Sequence, residues 1–233
     1  SLSDIKVLSQ CLKKEPQWGV ANRIARALGK IGGEFARDGL LKAVDSPDAK
    51  IRAGIVQALG EFMDDEKVAR ALKKIAQGDP SYRVEAGALS SLGRIKAKNC
   101  RPFLEGFLTR PSHNDIGRSA IFRALANMEE EQAWATLLEG ADYGAARGSR
   151  FSAIQGLAKL AGRFEHLKPE AINTLKRFAQ ETRGTPSATF RGKLAAIQAM
   201  GELEDLSSIP TLRKLAEGET DGRLKRRAEE TIV

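Results

Sequence analysis

The sequence predicts an all-α fold, a right-handed α–α superhelix (solenoid) of stacked helical hairpins. Three observations predict it. The first is repetition: PQWGVANRIARALGKI at 16–31 returns as PDAKIRAGIVQALGEF at 47–62 and PSYRVEAGALSSLGRI at 80–95. The second is apolar spacing in steps of three and four, which gathers side chains on one helix face. The third is composition: Ala, Leu, Arg and Lys abound, aromatics are only 6%, and no segment alternates convincingly as a strand would.

The copies align on one small residue. Gly29, Gly60 and Gly93 lie 31 and then 33 residues apart, Ala126 and Ala158 continue the series, and Gly201 follows after a longer interval. A fixed period of this size signals a repeat architecture. The expected organisation is one domain over 1–233. It has an orphan helix at 1–15, repeats at about 16–46, 47–79, 80–114, 115–145, 146–186 and 187–221, and a partial repeat at 222–233. One hairpin has too little core to fold alone, so stacked hairpins must share a continuous apolar seam.

Each element has its own justification. SLSDIKVLSQCLKKE carries Ile5, Leu8 and Leu12 on one face and reads as the second helix of a repeat whose first half is missing, as in a fragment of something longer. The first helices carry Val20, Ile24, Leu28 and Ile31; then Ile51, Ile55, Leu59 and Phe62; then Val84, Ala88, Leu92 and Ile95. The shared glycine falls near the helix end, where it either caps or permits close packing. Ser46-Pro47 and Asp79-Pro80 place a capping side chain before a proline at the first helical position. EKVARALKKIAQ, PEAINTLKRFAQ and SSIPTLRKLAEG supply second helices. About ten residues are added between Ala158 and Gly201, and AGRFEHLKPE and ETRGTPSATF read as extended links, more simply tolerated turns than a functional face.

Bulk properties narrow the function. The net charge of +8 permits an anionic partner, although 30 acidic residues offset most of the 38 basic ones. Cys11 and Cys100 are too few and too far apart for a disulfide framework, so a reducing cytoplasm is the expected home. No apolar run approaches a membrane span, and no signal-peptide pattern opens the chain.

No metalloprotease helix, nucleophile elbow or phosphate loop is present, so the expectation is a chain that is not an enzyme. His113 and His166, the two histidines, fall in links without a partner at ligand spacing. The acids at 64–66 and 129–131 suit the start of second helices, where the dipole favours negative charge. Trp18, at the position Tyr82 takes in the third copy and Lys50 in the second, suggests packing between repeats, and Trp134 suggests core.

Two basic series recur. Arg52, Arg118, Arg150, Lys193 and Lys225 sit in first helices and suit structural bonds to acids in neighbouring repeats, such as Asp45, Asp79 and Asp221. Lys42, Lys73, Lys176 and Arg213 sit near the middle of second helices, which are expected to line the concave surface. They are the candidate partner-binding ladder; a solvated face is the plainer reading.

The tetratricopeptide and ankyrin signatures are missing. The degenerate D-P-x-x-x-V-R-x-x-A-x-x-A-L-G resembles the short HEAT-like repeat also seen in phycobilin lyase-type proteins, over nearly the whole chain. EPQWGV at 15–20 and DPSYRVEAGAL at 79–89, one copy after DAKIRAGIVQALG, further resemble the C-terminal HEAT-like region of zinc aminopeptidases of the aminopeptidase N type. That resemblance implies a non-catalytic scaffold beside an upstream catalytic domain. No cofactor is expected in this chain, and zinc belongs only to that upstream domain. The expected partner is a protein or an adjoining domain, with no membrane. The alternatives are a nucleic-acid-binding solenoid with a basic concave face, and a free-standing lyase-type or assembly-factor module.

Overall fold

The computed structural model describes residues 1–142, 147–182 and 186–232. Among them are fourteen α-helices and no strand. They fall into two compact units, Ser1–Met128 and Glu129–Val233.

The first unit holds α1 (Leu2–Lys14), α2 (Trp18–Ile31), α3 (Gly33–Leu41), α4 (Ala49–Leu59), α5 (Glu66–Gly78), α6 (Tyr82–Arg94), the short α7 (Arg101–Glu105) and α8 (Ile116–Met128). First helices stack in the order α2, α4, α6, α8, while α1 lies on α3. Ile51, Ile55, Leu59, Val84, Ala88, Leu92 and Ile95 are buried as their spacing requires. In α2 the buried face is instead Ala21, Ala25, Leu28 and Gly29, and Val20 and Ile31 lie exposed. The small side chains are the ones that let α4 approach closely.

The recurrent glycine serves close packing; Gly60 is also the C-cap residue of α4, with φ of −65° and so not in the left-handed region. A Cβ on Gly29 would stand 2.9 Å from the Ala58 carbonyl oxygen of the next first helix. At Gly93 it would overlap the Ala124 backbone, and at Gly60 it would meet Ser91 Oγ at 2.9 Å. The turn between the two helices of a repeat carries the left-handed residue: Gly32, Asp64, Lys96, Glu129 and Glu204 all have φ between 49° and 69°. Only the first of these is a glycine, so the others adopt a conformation unfavourable for an L side chain.

The capping sites also differ from expectation. Asp48, not Ser46, caps α4 through Lys50 N–H at 2.6 Å, and Ser81 precedes α6 while Asp79 accepts from Ser81 N–H at 2.9 Å. Each proline therefore lies ahead of the helix instead of inside its first turn. Asp65 caps α5 through Lys67 and Val68, with Glu66 in the first turn.

The second unit holds α9 (Trp134–Ala141), α10 (Arg147–Arg163), α11 (Lys168–Ala179), α12 (Pro186–Leu203), α13 (Ile209–Gly218) and α14 (Gly222–Ile232). Here α10 packs on α12 and α12 on α14. The added residues lengthen α10 and α12 to 17 and 18 residues. The stretch 161–170 forms the end of α10, a 3-10 turn at Glu165–Leu167 and the start of α11, so it is not an extended link. Part of the other expected link, 183–185, lies outside the described residues.

Candidate functional site

Four first-helix bases, Arg52, Arg118, Arg150 and Lys193, make structural bonds. Arg52 Nε donates to Asp79 Oδ2 at 2.7 Å and Nη2 to Oδ1 at 3.0 Å, while Nη1 reaches the Ser46 and Pro47 carbonyls. Arg150 donates to the Ala141 carbonyl at 2.7 Å and to Glu181 at 2.6 Å, with both side chains buried. Lys193 bonds Glu219 at 2.7 Å. Each ties a first helix to the segment that follows its own second helix. Arg118 departs slightly, binding Asp115 and the Leu108 carbonyl.

One rung is reversed. Glu85 occupies in α6 the place of Arg52 in α4, counted from Gly93 and Gly60, and its buried carboxylate lies 3.5 Å from Arg110. Burial pushes the Glu85 carboxyl up, with Arg110 opposing. Burial also works to raise Asp79, but the bonds from Arg52 and the Ser81 N–H outweigh it and hold that carboxyl low.

The four second-helix candidates have different surroundings. Lys42 is the C-cap of α3, not a mid-helix residue, because α3 stops at Leu41 in a turn leading to Pro47. Exposed, it lines a groove of about 420 Å³ with Lys13 and Lys14. Lys73 in α5 lies over the Phe103 ring, 5.5 Å from its centroid. In the second unit Lys176 donates to Ser207 Oγ at 3.1 Å, and Arg213 is exposed on α13.

Second helices carry further polar ties. Arg37 reaches Asp65 and Lys67 reaches Asp38, at 3.0 and 2.8 Å. In the second unit His166 Nε2 lies 3.0 Å from Glu131 Oε1, and Trp134 Nε1 donates to Glu170 at 3.1 Å. Trp134 is thus a half-buried tie, not core. Sequence spacing left His166 without a partner; the fold supplies one 35 residues away. Trp18 is 49% exposed, and Lys50 of the next repeat places its Nζ 5.2 Å from the ring centroid, a contact between repeats made at the surface; Tyr82 is similarly exposed.

Among the described residues no cluster of three His, Cys, Asp or Glu could hold a metal ion. None of the described helices is long and apolar enough to cross a membrane.

Comparison with known proteins fits this geometry. The family profile described as HEAT repeats matches residues 5–92 and 69–158. Over 125 residues the chain is 30% identical to the phycocyanobilin lyase subunit alpha of Nostoc sp. strain PCC 7120. That match spans 49% of this chain and 44% of the relative, so less than half of the relative's length is represented. The solved complex of CpcE and CpcF of phycocyanin lyase from Nostoc sp. shares the fold, with TM-score 0.61 and 16% identity over 98% of this chain and 86% of that one. Human deoxyhypusine hydroxylase also shares it, with TM-score 0.52 and 16% identity over 99% of this chain and 95% of that one.

These findings correct one expectation. The absence of familiar catalytic motifs pointed to a chain that is not an enzyme, yet the curated relative is a lyase subunit and the fold recurs in a hydroxylase. Motifs of that kind belong to particular chemistries, and their absence does not exclude a different site placed on a helical-repeat fold.

Proposed function

The chain belongs to the HEAT-repeat family, and from that premise we propose that it is a lyase-type HEAT module that works on a protein partner. The likeness to the phycocyanobilin lyase subunit carries this reading. The match to a two-protein lyase complex supports a protein partner. The reported relatives give no support to an excised aminopeptidase domain or to nucleic-acid binding. A cytoplasmic setting belongs to the same proposal, in keeping with cysteines that form no disulfide.

In this reading the repeats of each unit supply a pre-formed surface of their own. The first-helix ties fix the spacing of successive second helices. Lys42 and Lys73 on the first unit, and Lys176 and Arg213 on the second, then offer cations to acidic groups of the partner, which speeds encounter more than it adds affinity.

Pigment-free phycocyanin is the partner to test first. Titrating it into the wild-type chain should give saturable binding. Reversing Lys42, Lys73, Lys176 and Arg213 together to Glu should weaken binding by about tenfold or more. Unchanged affinity would remove these residues from the contact, and no binding by the wild type would count against the lyase-type reading.

A further inference from the structure

We propose that the open side of α2 is a seat for an amphipathic helix of another protein, one that presents small residues to the seat and an acidic edge beside Lys30. The seat lies within the first unit and uses none of the second-helix cations, so its test and that of the lyase-type reading fail independently.

The repeat exposes the seat by contrast. Counted from the shared glycine, Val20, Ile24, Ala27 and Ile31 of α2 are the counterparts of Ile51, Ile55, Ala58 and Phe62. The later four are 9% exposed or less. Val20 and Ile31 are 42% and 50% exposed, and Ile24 and Ala27 are half-buried. Stacking accounts for the difference. Ala58 lies against Gly29 of the preceding first helix, as Ser91 lies against Gly60 and Ala124 against Gly93. The stripe is therefore the face on which a first helix receives the one before it, and among the described residues α2 receives none. Helix α1 shows the same deficit: Leu8 is half-buried, although Leu72, its counterpart counted from Pro16 and Pro80, is fully buried. An apolar stripe left open at helical spacing fits a further helix.

The repeat also defines the occupant. A helix in that place meets the stripe as α2 meets α4, through the position of Gly29, so it carries glycine or alanine there. Lys30, Glu61 and Arg94 share one repeat position, and Arg94 bonds Glu61, one repeat before it, at 3.0 Å. Lys30 in the same place selects an acid on the occupant. Arg23 and Arg26, exposed at helical spacing from Lys30, extend the basic edge.

A second copy of this chain is a poor occupant. Two α2 faces paired antiparallel about a two-fold axis would set Arg23, Arg26 and Lys30 against themselves. Head-to-tail stacking would need an apolar outer face on α14, which instead exposes Lys225, Arg226, Glu229 and Glu230.

The probe is a blocked peptide of residues 16–31 of this chain carrying Arg23→Glu, Arg26→Glu and Lys30→Glu, with the unaltered peptide as its comparison. Both keep Gly29 and both must order a helix, so the ratio of their affinities reports the charged edge. Titrated with the full chain and followed by fluorescence anisotropy, the acidic peptide should bind saturably and about tenfold more tightly than the basic one. Val20→Asp with Ile31→Asp in the chain should abolish that binding; both side chains are exposed, so the fold is retained. Arg23→Glu, Arg26→Glu and Lys30→Glu together in the chain should reverse the preference between the peptides. No saturable binding, equal binding of the two peptides, or binding that survives Val20→Asp with Ile31→Asp would overturn the proposal. So would sedimentation of the chain alone as a dimer that those two substitutions dissociate, which would make the occupant a second copy.

Discussion

Arg52 grips Asp79 through two hydrogen bonds, of 2.7 and 3.0 Å, across 27 residues of sequence. Both side chains are largely buried, 14% and 8% exposed, and the remaining guanidinium nitrogen is spent on backbone carbonyls. Removing one partner leaves the other's charge enclosed. Arg52→Ala should therefore cost roughly 2–4 kcal/mol, and Asp79→Ala a similar amount. Urea unfolding of the two single variants and the double variant measures it. The double variant should be less destabilised than the sum of the singles.

Glu85 with Arg110 is the same rung with its charges exchanged, but the balance differs. Arg110 is 47% exposed and Glu85 is 8% exposed, so the acid bears the burial cost. Glu85→Gln should unfold at least as high in temperature as the wild type at neutral pH. A carboxyl raised in the folded state regains stability as pH falls through its folded value towards the usual 4.5. The advantage of the Gln variant should accordingly shrink on acidification. A variant gap that widens instead would contradict the assignment.

The other rungs titrate in the opposite sense. Lys193 lowers Glu219, and Arg37 and the Val68 N–H lower Asp65 against the pull of burial. Their contribution is present above the usual values of 4.5 and 3.8 and is lost as pH falls through the depressed ones. Urea midpoints should hold steady from neutrality to about pH 5 and fall steeply below about pH 4.

Hairpin turns offer a stabilising change. Glu204 is exposed with φ of 49°, a conformation that glycine adopts freely. Glu204→Gly should raise stability by about 0.5–1 kcal/mol, read as a higher melting temperature. Gly93→Ala should do the reverse, by about 1–3 kcal/mol, because the new methyl meets the Ala124 backbone.

The repeat was legible because stacked hairpins impose a period on both small and apolar residues. Gly29, Gly60 and Gly93 announced it, but their role needed the neighbouring helix, since the atoms they accommodate lie about thirty residues further on. The same distance hid His166 from Glu131 and Glu85 from Arg110. Scanning for a basic ladder passes over Glu85, although its alignment with Arg52 is visible once the copies are set in register. Caps were misplaced by about two residues because Pro47 and Pro80 lie ahead of their helices.

The most direct measurement is covalent pigment on phycocyanin. Pigment-free phycocyanin and phycocyanobilin would be incubated with the second lyase subunit of Nostoc sp., with and without this chain. The account predicts that pigment retained through denaturing electrophoresis rises when the chain is present. Equal pigment in both samples would contradict a lyase-type function.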